Sequence, residues 1–157
     1  MKVRVGLGFD SHKLKRSGKL IIGGVTVSED MGVEAHSDGD VLCHAIIDAL
    51  LGALNIGDIG SLFPDDDPSL KGVSSLKLLE KVYGMVKEKG FSIVNLDSVI
   101  VLQEPKIKDY KEHIIRNLSS ALGLEEGLIS VKGKRPEGSF PSEGISSICV
   151  VLLMGDG

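Results

Sequence analysis

Ala35-His36-Ser37-Asp38-Gly39-Asp40-Val41-Leu42-Cys43-His44 runs without a break into Ala45-Ile46-Ile47-Asp48-Ala49-Leu50-Leu51-Gly52-Ala53-Leu54. The second half has the spacing of a helix, because Leu42, Ala45, Ile46, Ala49, Leu50 and Ala53 recur at three- and four-residue steps. Asp38 or Asp40 is suited to capping its start, where free N–H groups need acceptors. His44 and Asp48 are four apart, so they share one side of the helix, largely away from the apolar stripe. The first half is a polar turn with Gly39 as its flexible point, and it brings two of the chain's four histidines close to three aspartates. Two readings stand for such a cluster. One is a solvated, well-capped helix start. The other is a metal or phosphate site, since helix N-termini attract anions and His with Asp binds divalent metals.

Outward from this helix the pattern is mixed. Lys2 to Phe9 alternates, with Val3, Val5, Leu7 and Phe9 on one face of a strand. Gly6-Leu7-Gly8 is a lone G-x-G with no weight as a nucleotide motif. Lys13 to Lys19 reads as a surface loop, and Leu20–Ile22, Gly23-Gly24 and Val25–Val27 as a short hairpin. Gly57 to Pro68 is a loop dense in Gly, Pro and Asp. Ser74 to Lys89 reads as a helix capped by Ser74, Phe91 to Gln103 as a strand, and Tyr110 to Leu122 as a third helix carrying a surface histidine, His113. Ile129–Lys132 and Ile145–Met154 read as strands joined by a charged loop, Gly133 to Gly144. This order suits a single domain spanning 1–157, of α+β class, with helices packed on one face of a mixed β-sheet. The other sheet face is left apolar, and such a face often associates.

The bulk composition excludes several classes. A formal charge of -4 and a pI near 5.5 argue against a nucleic-acid binder. No apolar run approaches ~20 residues, so no membrane span or membrane partner is expected. Met1-Lys2-Val3-Arg4-Val5 alternates like a strand rather than a signal peptide. Cys43 and Cys149 lie in apolar segments and read as buried thiols in a reducing, cytoplasmic setting.

Asp10 and His12 are two apart at a strand end, so both reach one point, and His44 supplies a third ligand from the helix. Three protein ligands leave a tetrahedral position open, the pattern of a catalytic zinc. The acidic loops around Asp58 and Asp65 suit a second, harder metal or the hydroxyls of a ribose or polyol. Basic loops around Lys106 and Lys132 point to a phosphate-bearing substrate. No Ser-His-Asp or Cys-His nucleophile arrangement stands out.

Several blocks resemble the 2-C-methyl-D-erythritol 2,4-cyclodiphosphate synthase family. They are Gly8-Phe9-Asp10-Ser11-His12, Ile22-Gly23-Gly24-Val25, Ala35 to Val41, His44 to Ala53 and Gly57 to Asp65, with weaker similarity at Glu104-Pro105-Lys106 and Glu143-Gly144-Ile145. The resemblance implies an enzyme of non-mevalonate isoprenoid biosynthesis. Its substrate would be 4-diphosphocytidyl-2-C-methyl-D-erythritol 2-phosphate, a cytidine diphosphate compound. It would be a homotrimer with sheets facing the three-fold axis and active sites between subunits. Position by position, Asp10, His12 and His44 match ligands of Zn2+ or another divalent transition metal. His36 and Ser37 match residues that hold the reacting phosphate, with His36 stabilising the transition state. Asp58, Ile59 and Gly60, then Phe63, Pro64, Asp65, Asp66 and Asp67, match erythritol-binding loops. Leu102, Glu104, Pro105, Lys106 and Lys108, then Lys134, Arg135 and Glu137, match the cytidine and phosphate region, with Glu137 at the position of a ligand for Mg2+ or Mn2+.

The family usually has threonines just before the glutamate matched by Glu137, then a longer loop with an aromatic and an arginine. Here Lys134-Arg135-Pro136-Glu137-Gly138-Ser139-Phe140-Pro141-Ser142 is shorter, and Arg135 stands at a threonine position, where it is expected to take a catalytic part. Two rival readings remain: a zinc-dependent phosphohydrolase, and a non-catalytic trimeric module that binds isoprenoid or nucleotide ligands.

Overall fold

A computed structural model of the chain describes residues 1–139 and 143–156. Among the described residues, seven strands and four α-helices form in the order β1 (Lys2–Lys15), β2 (Leu20–Ile22), β3 (Val25–Ser28), β4 (Gly32–Val33), α1 (Val41–Leu54), α2 (Ile59–Leu62), α3 (Ser75–Glu88), β5 (Phe91–Val101), α4 (Lys111–Leu122), β6 (Ile129–Lys134) and β7 (Gly144–Gly155). A five-stranded sheet runs β4-β1-β7-β5-β6, and β2 with β3 forms a separate hairpin. Within the five-stranded sheet β5 and β6 are parallel and the other pairs antiparallel. The parallel pair is the one joined through a helix, α4, as a crossover requires. The α+β class and the mixed sheet expected from the sequence are therefore present.

The helices cover one sheet face. Eleven of the 14 residues of α1 are buried, including His44, so the helix is enclosed rather than amphipathic. β1 and β7 pack along one side of it and α3 along another. Fully burying side chains such as Leu42, Ile46 and Leu50 stabilises by about 1.5–3 kcal/mol each. The side that His44 shares with Asp48 is enclosed as well, because Asp10 and His12 of β1 and Ser75 of α3 lie against His44 and the Ile59 N–H meets Asp48.

β1 shows why α1 sits where it does. Its apolar residues Val3, Val5, Leu7 and Phe9 point away from the helices, and Val5 and Leu7 are each 68% exposed. The inward positions are Gly6, Gly8, Asp10 and His12. A Cβ on Gly6 would lie 1.8 Å from the Ala49 carbonyl oxygen, and one on Gly8 would lie 1.8 Å from that of Ala45. The G-x-G dipeptide step thus serves contact between the backbones of strand and helix, not a nucleotide. On the outer face Val3, Val5, Leu7 and Phe9 stand opposite Met154, Leu152, Val150 and Ile148 of β7. They form an apolar surface that no element among the described residues covers, as expected.

Some boundaries move. β1 continues through Lys15, where a loop was expected, because Leu14 and Lys15 pair with β4 while Lys13 still pairs with β7. Two residues of β4 carry too little pattern to announce this. The acidic loop contains α2 and a 3-10 turn, Pro68–Leu70. The hairpin turn has positive φ at Gly23 (56°) and Gly24 (73°), as a tight two-residue connection requires. Asp40 caps α1 by accepting from the Cys43 N–H and also accepts from the N–H groups of Gly23 and Gly24, tying the hairpin to the helix start. Burial pushes the Asp40 carboxyl above its usual range, and these three donors oppose that rise. Ser74 occupies the N-cap of α3 but makes no side-chain cap bond. His113 is exposed, as expected. Cys43 and Cys149 are free and buried, and burial pushes both thiols up, Cys149 to about 12. No helix among the described residues is long and apolar enough to cross a membrane.

The close approach makes a direct prediction. Gly8→Ala must push α1 off the strand, and overpacking of this kind costs roughly 3 kcal/mol or more. Gly52→Ala, on the exposed side of the same helix with nothing within 4 Å of the new methyl, is expected to stabilise by about 1 kcal/mol. Urea unfolding of the two variants is the measurement; equal stabilities would refute the backbone contact as the constraint.

Candidate active site

The contact between α1 and β1 sets the site's register. Two strand residues advance about 6.6 Å and four helix residues about 6 Å. Gly6 meets Ala49 and Gly8 meets Ala45, so the next inward residue, Asp10, meets the first turn of α1. His44 Nδ1 and His12 Nε2 each lie 2.9 Å from Asp10 Oδ2. The two ring nitrogens are 3.3 Å apart, with the rings edge-on at 78°. Burial raises the Asp10 carboxyl, but hydrogen bonds and charge from His12 and His44 outweigh it and hold it at about 2. Burial lowers His44, and Asp10 together with Asp40 and Asp38 reverses that, leaving it raised.

Three ligand atoms, one each from Asp10, His12 and His44, lie within 4.8 Å of one another. Two nitrogens bound tetrahedrally to one zinc at about 2.0–2.1 Å sit roughly 3.3–3.4 Å apart. The donor set and its spacing therefore fit a divalent transition metal. All three residues line a pocket of about 240 Å³, so a coordination position can face its interior.

His36, Ser37, Ile59, Gly60, Phe63 and Asp65 line the same pocket. The His36 Nε2 lies 2.9 Å from the Asp67 carbonyl oxygen, which can only accept, so Nε2 carries a proton. Asp48 on α1 accepts from the Ile59 N–H at 2.7 Å and pins the loop that carries Ile59 and Gly60. Two aspartates expected to touch substrate have structural duties. Asp58 forms a capping box with Ser61 at the start of α2, and Asp67 accepts from the N–H and Oγ of Ser69. These bonds with Ser61 and with Ser69 hold both carboxyls below their usual range. Asp58, Pro64, Asp66 and Asp67 are not part of the pocket lining.

The other predicted residues gather elsewhere. A second pocket, of about 420 Å³, is lined by Leu102, Lys106, Lys108, Lys132, Lys134 and Arg135, among others. It lies where the parallel strands β5 and β6 end, and Leu102 donates its N–H to the Lys134 carbonyl at 2.9 Å. Arg135 pairs with Glu104 at 3.1 Å and Lys132 with Asp97 at 2.8 Å. Glu104, Pro105 and Glu137 line neither pocket. Glu137 is exposed, with a left-handed φ of 52°. Within one chain, then, the metal-type cluster and the basic pocket are separate, and among the described residues no lysine or arginine lines the metal-type pocket. Positions 140–142 of the shortened loop lie outside the described residues.

Sequence reasoning missed the supports behind His44. Ser75 Oγ lies against its other ring nitrogen, and Asp38 accepts from that hydroxyl. The two lie 37 residues apart in the chain, so no local pattern marks either of them as a partner of His44.

Comparison with known proteins bears on the whole chain. A profile of the YgbB family matches residues 3–154. The 2-C-methyl-D-erythritol 2,4-cyclodiphosphate synthase of Clostridium acetobutylicum is 49% identical over 155 residues, covering 97% of this chain and 100% of that protein. The structure of the bifunctional IspDF from Campylobacter jejuni superposes with a TM-score of 0.94 at 39% identity, covering 99% of this chain, which spans 43% of that one. A CDP-bound structure of 2C-methyl-D-erythritol-2,4-cyclodiphosphate synthase superposes with a TM-score of 0.90 at 34% identity, covering 96% of this chain and 100% of that chain. Sequence and fold agree from one end of the chain to the other, and the protein belongs to the YgbB family.

Proposed function

We propose that this chain is a 2-C-methyl-D-erythritol 2,4-cyclodiphosphate synthase. It converts 4-diphosphocytidyl-2-C-methyl-D-erythritol 2-phosphate to the cyclic diphosphate with release of CMP. The observation that carries this reading is the convergence of Asp10, His12 and His44 at a pocket that His36 and Ser37 also line. An oxygen of the 2-phosphate attacks the β-phosphorus, the bond from that phosphorus to the bridging oxygen breaks, and the electron pair leaves with CMP. The substrate carries its own nucleophile, so the reaction asks for none from the protein, and both thiols are buried with raised pKa values.

Phosphoryl transfer depends on positioning and charge neutralisation. Asp10, His12 and His44 would hold zinc, and Glu137 would help hold magnesium or manganese; when bound, these ions supply positive charge to the diphosphate. His36, fixed through Nε2 by the Asp67 carbonyl, has Nδ1 left to serve the reacting phosphate. Ser37 Oγ, 3.1 Å from His44 Nε2, accepts there and keeps its own proton for a phosphate oxygen. Ile59, Gly60, Phe63 and Asp65 form the wall proposed to receive the erythritol. The basic pocket at Leu102, Lys106, Lys108, Lys134 and Arg135 is proposed to take the cytidine diphosphate end. The likeness to a CDP-bound structure supports this assignment.

The two pockets lie apart in one chain, so the complete site is proposed to form between subunits. The apolar outer face of β1 and β7 is proposed to pack about a three-fold axis in a homotrimer. Two buried free thiols suit a cytoplasmic setting.

Product analysis by 31P NMR tests the reaction. A cyclic diphosphate with stoichiometric CMP supports it, a ring-opened product supports a phosphohydrolase, and no CMP release with both metals present supports a binding module. His44→Ala is expected to lose bound zinc, and full zinc occupancy by metal analysis would remove that residue from the ligand set. His36→Ala is expected to keep zinc and lose turnover about a hundredfold or more; zinc loss or unchanged turnover counts against its role. Arg135→Ala is expected to cost roughly 1.5–3 kcal/mol, or about one to two decades in rate, with Arg135→Thr recovering part. Oligomers mixed from Arg135→Ala and His36→Ala subunits are expected to regain activity, because some interfaces then hold both native halves. Wild-type turnover in both arginine variants would place Arg135 outside the site, and no recovery on mixing or a monomer on sedimentation would overturn the interfacial site.

A further inference from the structure

Behind the metal-type cluster lies a buried chain of hydrogen bonds that none of the assigned roles uses. His44 Nε2 is 2.7 Å from Ser75 Oγ. Ser75 Oγ in turn donates to Asp38 Oδ1 in a short hydrogen bond. The Ser75 N–H donates to Asp38 Oδ2 at 3.0 Å, and the Asp40 N–H to Asp38 Oδ1 at 3.1 Å. Ser75 is fully buried and His44 nearly so. The starts of α1 and α3 therefore meet at one carboxylate, with Ser75 between it and a histidine.

The proton inventory fixes the direction of this chain. A serine hydroxyl has one proton, and a carboxylate offers none. Ser75 gives its proton to Asp38, so toward His44 it can only accept. His44 Nε2 must then be the donor. The other nitrogen, Nδ1, is the one that faces Asp10 and His12. A metal needs a lone pair at Nδ1 on a neutral ring, and the chain selects the neutral tautomer that has one. Ser37 Oγ, at 3.1 Å from the same Nε2, is a longer second acceptor and cannot set the direction by itself.

We propose that Asp38 and Ser75 are positioning residues for His44: the relay Asp38–Ser75–His44 holds the proton on Nε2 and presents Nδ1 to a divalent transition metal. This rests on the reading of Asp10, His12 and His44 as a metal site. Partners of this kind typically change metal affinity 10–100-fold. The competing role is purely structural, with Asp38 joining the two helix starts and Ser75 filling space.

Ser75→Ala separates the two roles. It removes the nearer acceptor for His44 Nε2 and its link to Asp38, leaving only the longer contact to Ser37 Oγ, and it keeps the Ser75 N–H bond to Asp38, so α3 stays anchored. In metal-stripped full-length protein, competition against a chromophoric chelator is expected to show zinc binding about 10–100-fold weaker than wild type. The absorption of the cobalt-loaded protein is expected to change, while thermal unfolding of the metal-free variant moves little. Asp38→Asn is the second variant. Its amide can donate to Ser75 Oγ and release the serine proton toward Nε2, which favours the tautomer with hydrogen on Nδ1. It too is expected to weaken zinc binding about 10–100-fold, with a 15N shift of the His44 ring marking the tautomer. Wild-type zinc affinity and cobalt spectra in whichever variant folds would overturn the proposal. If the wild-type protein itself binds no zinc, the metal-site reading fails and the relay falls with it.

Discussion

Everything at the site follows from how closely α1 lies against β1. Ordinary side chains at positions 6 and 8 would hold a helix away from a sheet by their own bulk. With glycine at both, the carbonyls of Ala45 and Ala49 rest on the strand backbone. The similar advance of two strand residues and four helix residues then carries that register forward to Asp10 and His44. A shift of one residue in β1 would turn Asp10 and His12 outward and Val5, Leu7 and Phe9 inward. Packing and chemistry are thus set by one contact, and the glycines matter for what they leave out.

The aspartates divide by burial and by what they accept. Asp40 is consumed by three backbone N–H groups, and Asp38 by two N–H groups and a serine hydroxyl. Asp58 and Asp67 cap short helical turns. Asp48 anchors Ile59 across a loop. Of the acidic residues near the pocket, Asp10, Glu34 and Asp65 belong to its lining. Most of the negative charge here therefore serves to hold polar backbone in place. Burying backbone N–H groups without partners would cost about 1–3 kcal/mol each. This scaffold keeps the pocket's loops in one arrangement before any ligand arrives.

The protein has chemistry on one face of its sheet and an apolar surface on the other. Val3, Val5, Leu7 and Phe9 give β1 a hydrophobic pattern that faces away from the core. The basic pocket at the ends of β5 and β6 and the metal-type pocket at β1 and α1 are each proposed to hold part of what a charged diphosphate needs. An assembly about the apolar face is the arrangement proposed to unite them.

From the residues alone, the α1 helix, a capping aspartate at Asp38 or Asp40, the hairpin at Gly23-Gly24, and the candidate metal cluster of Asp10, His12 and His44 were legible. The helix, the hairpin and the Asp10–His12 pair depend on local periodicity or on residue types two to four positions apart, which the backbone converts directly into a shared face, whereas His44, 32 residues from His12, was joined to that pair by residue type and by the resemblance. The resemblance of the Gly8-to-Asp65 blocks pointed to the family that the comparisons then bore out. What the chain order could not convey was contact between distant segments. Gly6 and Gly8 looked like a stray dipeptide until α1 was seen against them. The extension of β1 to Lys15 needed its partners β4 and β7. The capping roles of Asp58 and Asp67 emerged only once short helical turns were seen inside a loop. Ser75 and Asp38 are 37 residues apart, and neither carries a local signal for a role behind His44. Hydrogen-bond direction is a property of the assembled network, so only the tertiary structure could show which nitrogen of His44 faces the other two ligands.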